Sequence, residues 1–198
     1  FLNAYGLNFT LENISWKNYE YIFSSPSTTE AIWTSIKLAG ITSILGIFIG
    51  TMIAYVRVRK RNMTMKLVES AVTIPYALPG SVLALAMIFA WMEPIPGWNP
   101  GIYGTAAILY IAYITRFLIL QVRSGITAFQ QLDVQMEEAA QINGTNGIGK
   151  WQKIILPFIT PGILNGALLV FLSALTELTV SSLLYSSTSE TIGVAILS

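Results

Sequence analysis

Ionisable side chains stand well inside apolar stretches, where an uncompensated charge is costly, among them Lys37, Arg116 and Glu177. Such groups pair, face water or serve a pathway. Counted at about 1.5 Å per residue, Lys37 lies about 9 Å inward from Ala31 and Glu177 about 12 Å inward from Tyr185. The depths match, which leaves two readings open: the pair neutralise one another, or each is a separate polar site facing water or a missing span. Arg116 counts to only about 7 Å from the inner end of its stretch, too far in depth from Glu177 for a direct pair. Snorkelling to inner headgroups, contact with the cytoplasmic segment and a pathway role stay open for it. Tyr103, Tyr110 and Tyr113 fall within an arc of about 80° on one helix, which suits either a pathway lining or packing and interface anchoring.

The 198 residues include no Cys and no His. That removes disulfides, thiol nucleophiles, Ser–His–Asp triads and His-ligated metals. No residue is assigned to a metal, and no cofactor is expected on the chain. A Ser/Lys dyad of an intramembrane enzyme would need Ser35 or Ser43 with Lys37, and neither is at the i+3 or i+4 spacing of one helix face. Gly144-Thr145-Asn146-Gly147-Ile148-Gly149-Lys150-Trp151 imitates a phosphate-binding loop. Such a loop needs Ser or Thr after its Lys to hold Mg²⁺, and a preceding strand. Trp151 supplies no oxygen and the preceding segment reads as helix, so nucleotide binding is rejected. A formal net charge of +1 gives no preference for nucleic acid.

Positioning these residues falls to long apolar helices. The chain is 54% hydrophobic and 11% charged, against about 25% charged in a soluble domain. Four apolar stretches are each long enough to cross a bilayer: 31–56, 67–91, 102–121 and 161–185. The fold class is an all-α polytopic membrane bundle with at least four spans. Pro75 and Pro79-Gly80 are expected to bend or break the second span. Arg57, Arg59, Lys60, Arg61 and Lys66 crowd between spans one and two, whereas residues 93–101 carry no base. The positive-inside rule puts the basic loop and residues 122–160 in the cytoplasm, and residues 1–30 and 93–101 outside. Residues 1–30 are read as an extracytoplasmic lead-in and 31–198 as one membrane domain. Phe1 at the start and an apolar run at Ser198 suggest a piece of a longer polypeptide, truncated at one or both ends.

The longest stretch between spans holds the strongest signal. From Ile126 to Ile142, apolar residues at helical spacing predict an amphipathic helix at the inner face, stopped by Asn143-Gly144. A short apolar helix, Trp151 to Leu156, is expected next, with Pro157 and Pro161 separating it from span four. Helix, glycine turn and helix would make a knob fitted to a partner's groove.

Here the residues resemble a known family. Glu138-Ala139-Ala140, Gly144, Ile154 and Leu156-Pro157 occupy every position of the EAA signature: EAA, three residues, G, nine residues, I-x-LP. The pattern is similar to that of the inner-membrane permeases of binding-protein-dependent ABC importers. Ile74–Gly80 and Leu175–Leu184 look most like the iron(III) subgroup, which itself resembles thiamine and phosphonate permeases. The resemblance implies the type I importer transmembrane fold, with a multi-pass place in the bacterial inner membrane. It makes the segment of about 126–157 a coupling element for a separate ATPase subunit, with contact through Glu138, Ala139, Ala140, Gly144, Ile154, Leu156 and Pro157. It also implies ATP and Mg²⁺ on that ATPase, an extracytoplasmic solute-binding protein, and a second permease domain, identical, paired or fused. Lys37, Glu177, Tyr110, Tyr113 and Arg116 are then candidates for the translocation pathway. Iron(III) is the expected substrate, with thiamine, phosphonate, polyamine or another small solute as alternatives. An independent channel is the rival that would need no ATPase.

Overall fold

A computed structural model describes residues 16–60, 63–94, 96–97, 100–133, 135–136, 147–186 and 189–197. A short helix α1 (Lys17–Ser24) precedes α2 (Pro26–Arg59). Pro at the first helical position loses nothing, because its missing N–H would have had no partner there. The helix thus reaches back to Pro26, five residues before the expected start of the first span. After α2 come α3 (Met63–Ala77), α4 (Gly80–Trp91) and α5 (Ala106–Gln131). The last long helix, α6 (Ile148–Leu175), contains one π-helical turn at Trp151–Ile155. Short helices α7 (Thr179–Leu184) and α8 (Ile192–Leu197) follow.

Among the described residues, three helices are long and apolar enough to cross a membrane: α2, α5 and α6. The expected second span is the pair α3–α4, which bends by 111° at Leu78-Pro79. Pro79, not Pro75, makes the break; Pro75 sits within α3. Two boundaries move. Residues 126–131 are the last turns of α5, not the start of a separate amphipathic helix. Trp151–Leu156 is continuous with span four, with Pro157 and Pro161 inside one long helix. The π-turn ends two residues before Pro157, whose ring nitrogen cannot donate to the preceding turn, and the wider turn accommodates the lost bond.

The long helices α2, α5 and α6 pack against one another through small residues. On α2, Gly46, Gly50 and Ala54 recur every fourth position on the buried face. A Cβ on Gly50 would lie 2.7 Å from Gln121 Cγ, and one on Gly125 would lie 2.8 Å from the Ala54 methyl. Large apolar side chains turn outward instead: Phe48, Met52, Phe89 and Leu164 are exposed while Thr42, Ser43 and Gln121 are buried. Lipid solvates Phe and Leu as well as a protein core does, so backbone proximity and interhelical hydrogen bonds carry the packing. Ser43 Oγ donates to Ala167 O at 2.7 Å, Ser124 Oγ to Gly162 O at 2.7 Å, and Gln121 Nε2 to Ile163 O at 3.3 Å.

A paired substitution checks this packing. A methyl at Gly162 would sit 2.6 Å from the Ala128 methyl, and neither group can rotate away. Gly162→Ala is expected to cost about 1–3 kcal/mol through overpacking. At Gly40 an added Cβ meets nothing within 4 Å, so Gly40→Ala should be neutral or mildly stabilising. Thermal unfolding in detergent reads both; equal midpoints would remove the close approach of α5 and α6 from the account.

Candidate functional site

Where the ends of α2 and α5 meet the start of α6, three rings come together. Tyr55 of α2 lies 5.4 Å from Phe129 of α5 and 5.0 Å from Trp151 of α6, centroid to centroid, and Phe129 to Trp151 is 6.4 Å. Tilted and edge-on pairs of this kind stabilise beyond their buried area. Beneath them Ala54, Ile155 and Ile159 complete a second core. Trp151, which rules out a phosphate loop, therefore anchors the start of α6. Gly147, just before that start, has φ +54°, a conformation that a side chain would strain. Arg57 Nε donates to Glu69 Oε2 at 2.7 Å and ties the end of α2 to α3.

The signature residues divide. Glu138, Ala139, Ala140 and Gly144 lie outside the described residues. Ile154, Leu156 and Pro157 occupy the first turns of α6. Leu156 and Pro157 are exposed and Ile154 is half-buried, whereas Ile155, the one position in I-x-LP that the signature leaves unspecified, is fully buried. The unspecified position faces the chain's own core and two of the specified ones are free for another surface.

Midway along α5 a second cluster forms. The break between α6 and α7 holds Glu177, and the break between α3 and α4 holds Leu78. Arg116 reaches both: Nη1 donates to Leu78 O at 3.2 Å, and Nε lies 3.2 Å from Glu177 Oε2. That Nε–H is not aligned with the carboxylate, so the attraction is coulombic rather than a directed hydrogen bond. Glu177 Oε1 accepts from the Val180 N–H at 3.0 Å, and the Glu177 carbonyl accepts from Tyr113 OH at 3.2 Å and Ser181 Oγ at 3.0 Å. Gly80 passes so close that a Cβ there would meet Thr179 Cβ at 2.8 Å.

This corrects the reading of Lys37 and Glu177 as a pair. Glu177 faces Arg116, not Lys37. Depth counting treated residues 161–185 as one straight helix, but α6 ends at Leu175 and Glu177 sits in a turn. The count also ended span three at Gln121, whereas α5 runs on to Gln131 and so holds Arg116 near its middle. Lys37 is exposed because α2 turns Leu38 and Ala39 into the core and Lys37 away from it. Tyr113 is buried against Phe117, and Tyr110 is half-buried beside the same core.

Residues not singled out from sequence also gather here. Two grooves of about 540 Å³ each share Arg123: one is lined by Ser70 and Thr73 of α3, the other by Thr127 and Asn165. Asn165 is exposed within α6. An exposed amide inside an apolar span was the signal available in the sequence. Among the described residues, no group of three or more acidic side chains is placed to hold a metal ion.

The chain has relatives among known proteins. The sequence profile described as "Binding-protein-dependent transport system inner membrane component" matches residues 21–198. The chain is similar to a ferric transport system permease protein of Actinobacillus pleuropneumoniae, 29% identical over 192 residues, covering 94% of this chain and 26% of that protein. It is 25% identical over 175 residues to a molybdenum transport system permease protein of Mycobacterium tuberculosis, covering 83% and 64%. The chain thus spans about a quarter of the ferric relative's length. Among solved structures, a bacterial ABC transporter involved in the import of the acidic polysaccharide alginate shares the fold. Its TM-score is 0.71 at 19% identity, covering 95% of this chain and 73% of that one.

Proposed function

Because this chain belongs to the family of binding-protein-dependent transport system inner membrane components, we propose that it forms the translocation pathway of an ATP-driven importer in the bacterial inner membrane. ATP and Mg²⁺ bind a separate ATPase subunit, and a solute-binding protein delivers cargo from outside. A second permease domain completes the pathway. One observation supports the coupling role above all: Leu156 and Pro157 of the signature are presented at the inner end of α6 while Ile155 anchors it. A partner docking there pushes on a helix that packs against both α2 and α5, so movement at the inner surface reaches the whole bundle.

The pathway reading extends from Arg116 and Glu177 to the grooves beside Arg123. Iron(III) is the proposed cargo, supported by the ferric relative; the molybdenum relative keeps an oxyanion as the second reading. Uptake of radiolabelled iron by the complete transporter, challenged with molybdate, thiamine, phosphonate and polyamine, decides between them. Iron accumulation that none of these competitors reduces is expected. Uptake of another solute without iron would end the iron assignment and leave the permease role standing.

A further inference from the structure

The two helix breaks lie against each other. Leu78-Pro79 and Thr176–Leu178 are bridged by Arg116, and the backbone at Gly80 touches Thr179 closely enough to exclude a side chain. Beyond the breaks, Leu83, Ala84 and Met87 of α4 and Val180 and Leu184 of α7 lie in one core, which α2, α5 and α6 also line. The contact of α4 with α7 is more extensive than that of either with α5. Before its break, α6 is bonded to α5 by Ser124 and Gln121. Helix breaks are where backbone torsions change with fewest hydrogen bonds lost. α5 has no break at this level.

We propose that α4 and α7 move as one rigid pair about these adjoining breaks, and that Arg116, fixed on α5, is the latch that holds the pair in one of its two positions. This rests on the permease reading, which requires two states. In the latched state Arg116 satisfies Leu78 O and Glu177 together. Movement of the pair relative to α5 separates the guanidinium from at least one of them, so the cluster adds a barrier that ATPase closure must overcome. Arg116 acts here as a positioning residue and need not touch cargo.

These 198 residues hold no cysteine, so the labels are introduced here after any cysteine elsewhere in the transporter is replaced. Spin labels at Phe89→Cys on α4, Leu183→Cys on α7 and Thr127→Cys on α5 use exposed positions. The complete transporter, with its ATPase and binding protein, is compared nucleotide-free and ATP-bound in lipid nanodiscs. The α4–α7 distance is expected to stay constant while the α4–α5 distance shifts with nucleotide. Arg116→Met and, should it fold poorly, Glu177→Gln are expected to shift or broaden the nucleotide-free α4–α5 distribution toward the ATP-bound one, leaving α4–α7 sharp. A general structural defect would instead broaden both. An α4–α7 distance that changes with nucleotide, broadening of both pairs in the variants, or variants with unaltered nucleotide-free distributions would each overturn the latch. Failure of the ATPase to assemble at all would sink the permease reading, whereas a nucleotide-free α4–α5 distribution left unmoved by Arg116→Met in an assembled transporter would sink the latch alone.

Discussion

Arg116→Met should destabilise the protein by about 3–5 kcal/mol, the range for stripping one partner from a buried ion pair. The side chains of Arg116 and Glu177 are only 15% and 10% exposed, so the stranded carboxylate has little access to water. Leu78 O would lose its donor as well. Glu177→Gln should cost less than Arg116→Met, because an amide oxygen still accepts the Val180 N–H that Oε1 holds. The double variant should be more stable than Arg116→Met alone, since no unpaired anion remains. Thermal unfolding of the four proteins in one detergent gives the cycle; strictly additive losses would argue that the two groups do not interact. Lys37→Met, by contrast, should leave stability nearly unchanged, because Lys37 is exposed and away from this cluster.

The second large effect is expected at the coupling segment. Gly144→Val places a branched side chain where the sequence sets a helix-stopping turn, and Ala140→Trp adds bulk where the signature has a small residue. Neither position is among the apolar spans. Both variants should insert and fold while co-purifying poorly with the ATPase, a loss of about tenfold or more in retained partner if the contact supplies at least ~1.4 kcal/mol. Wild-type recovery of the ATPase by both would remove Glu138–Pro157 from the coupling role.

How much of this was legible in the sequence differs from element to element. Apolar length located the three long helices, and Pro79-Gly80 located the elbow. The EAA spacing found the family because its residues are fixed in type and distance along the chain. Depth counting failed at Glu177 because it assumes a continuous helix, and the turn at 176–178 carries neither Pro nor Gly to announce itself. The Arg116–Glu177 contact depends on where two breaks meet in space, which no local pattern encodes. The close approaches at Gly50, Gly125 and Gly162 follow from small residues at regular spacing, a signal present in the sequence but swamped by the surrounding apolar run. Trp151 was legible as the start of a short apolar helix and as a residue that excludes phosphate chemistry. Its contact with Tyr55 and Phe129 joins three separate helices and so needed the fold.

The claim that this chain passes ATPase motion into the bundle through its inner segment meets its most direct test in proteoliposomes holding the complete transporter. ATP hydrolysis is measured with and without cargo-loaded binding protein, for the unmodified chain and for Gly144→Val. Loaded binding protein should raise hydrolysis in the unmodified transporter, and Gly144→Val should abolish that rise while its spans remain inserted. Hydrolysis that ignores the binding protein in the unmodified transporter, or a rise fully preserved in Gly144→Val, would mean that the segment does not couple the two.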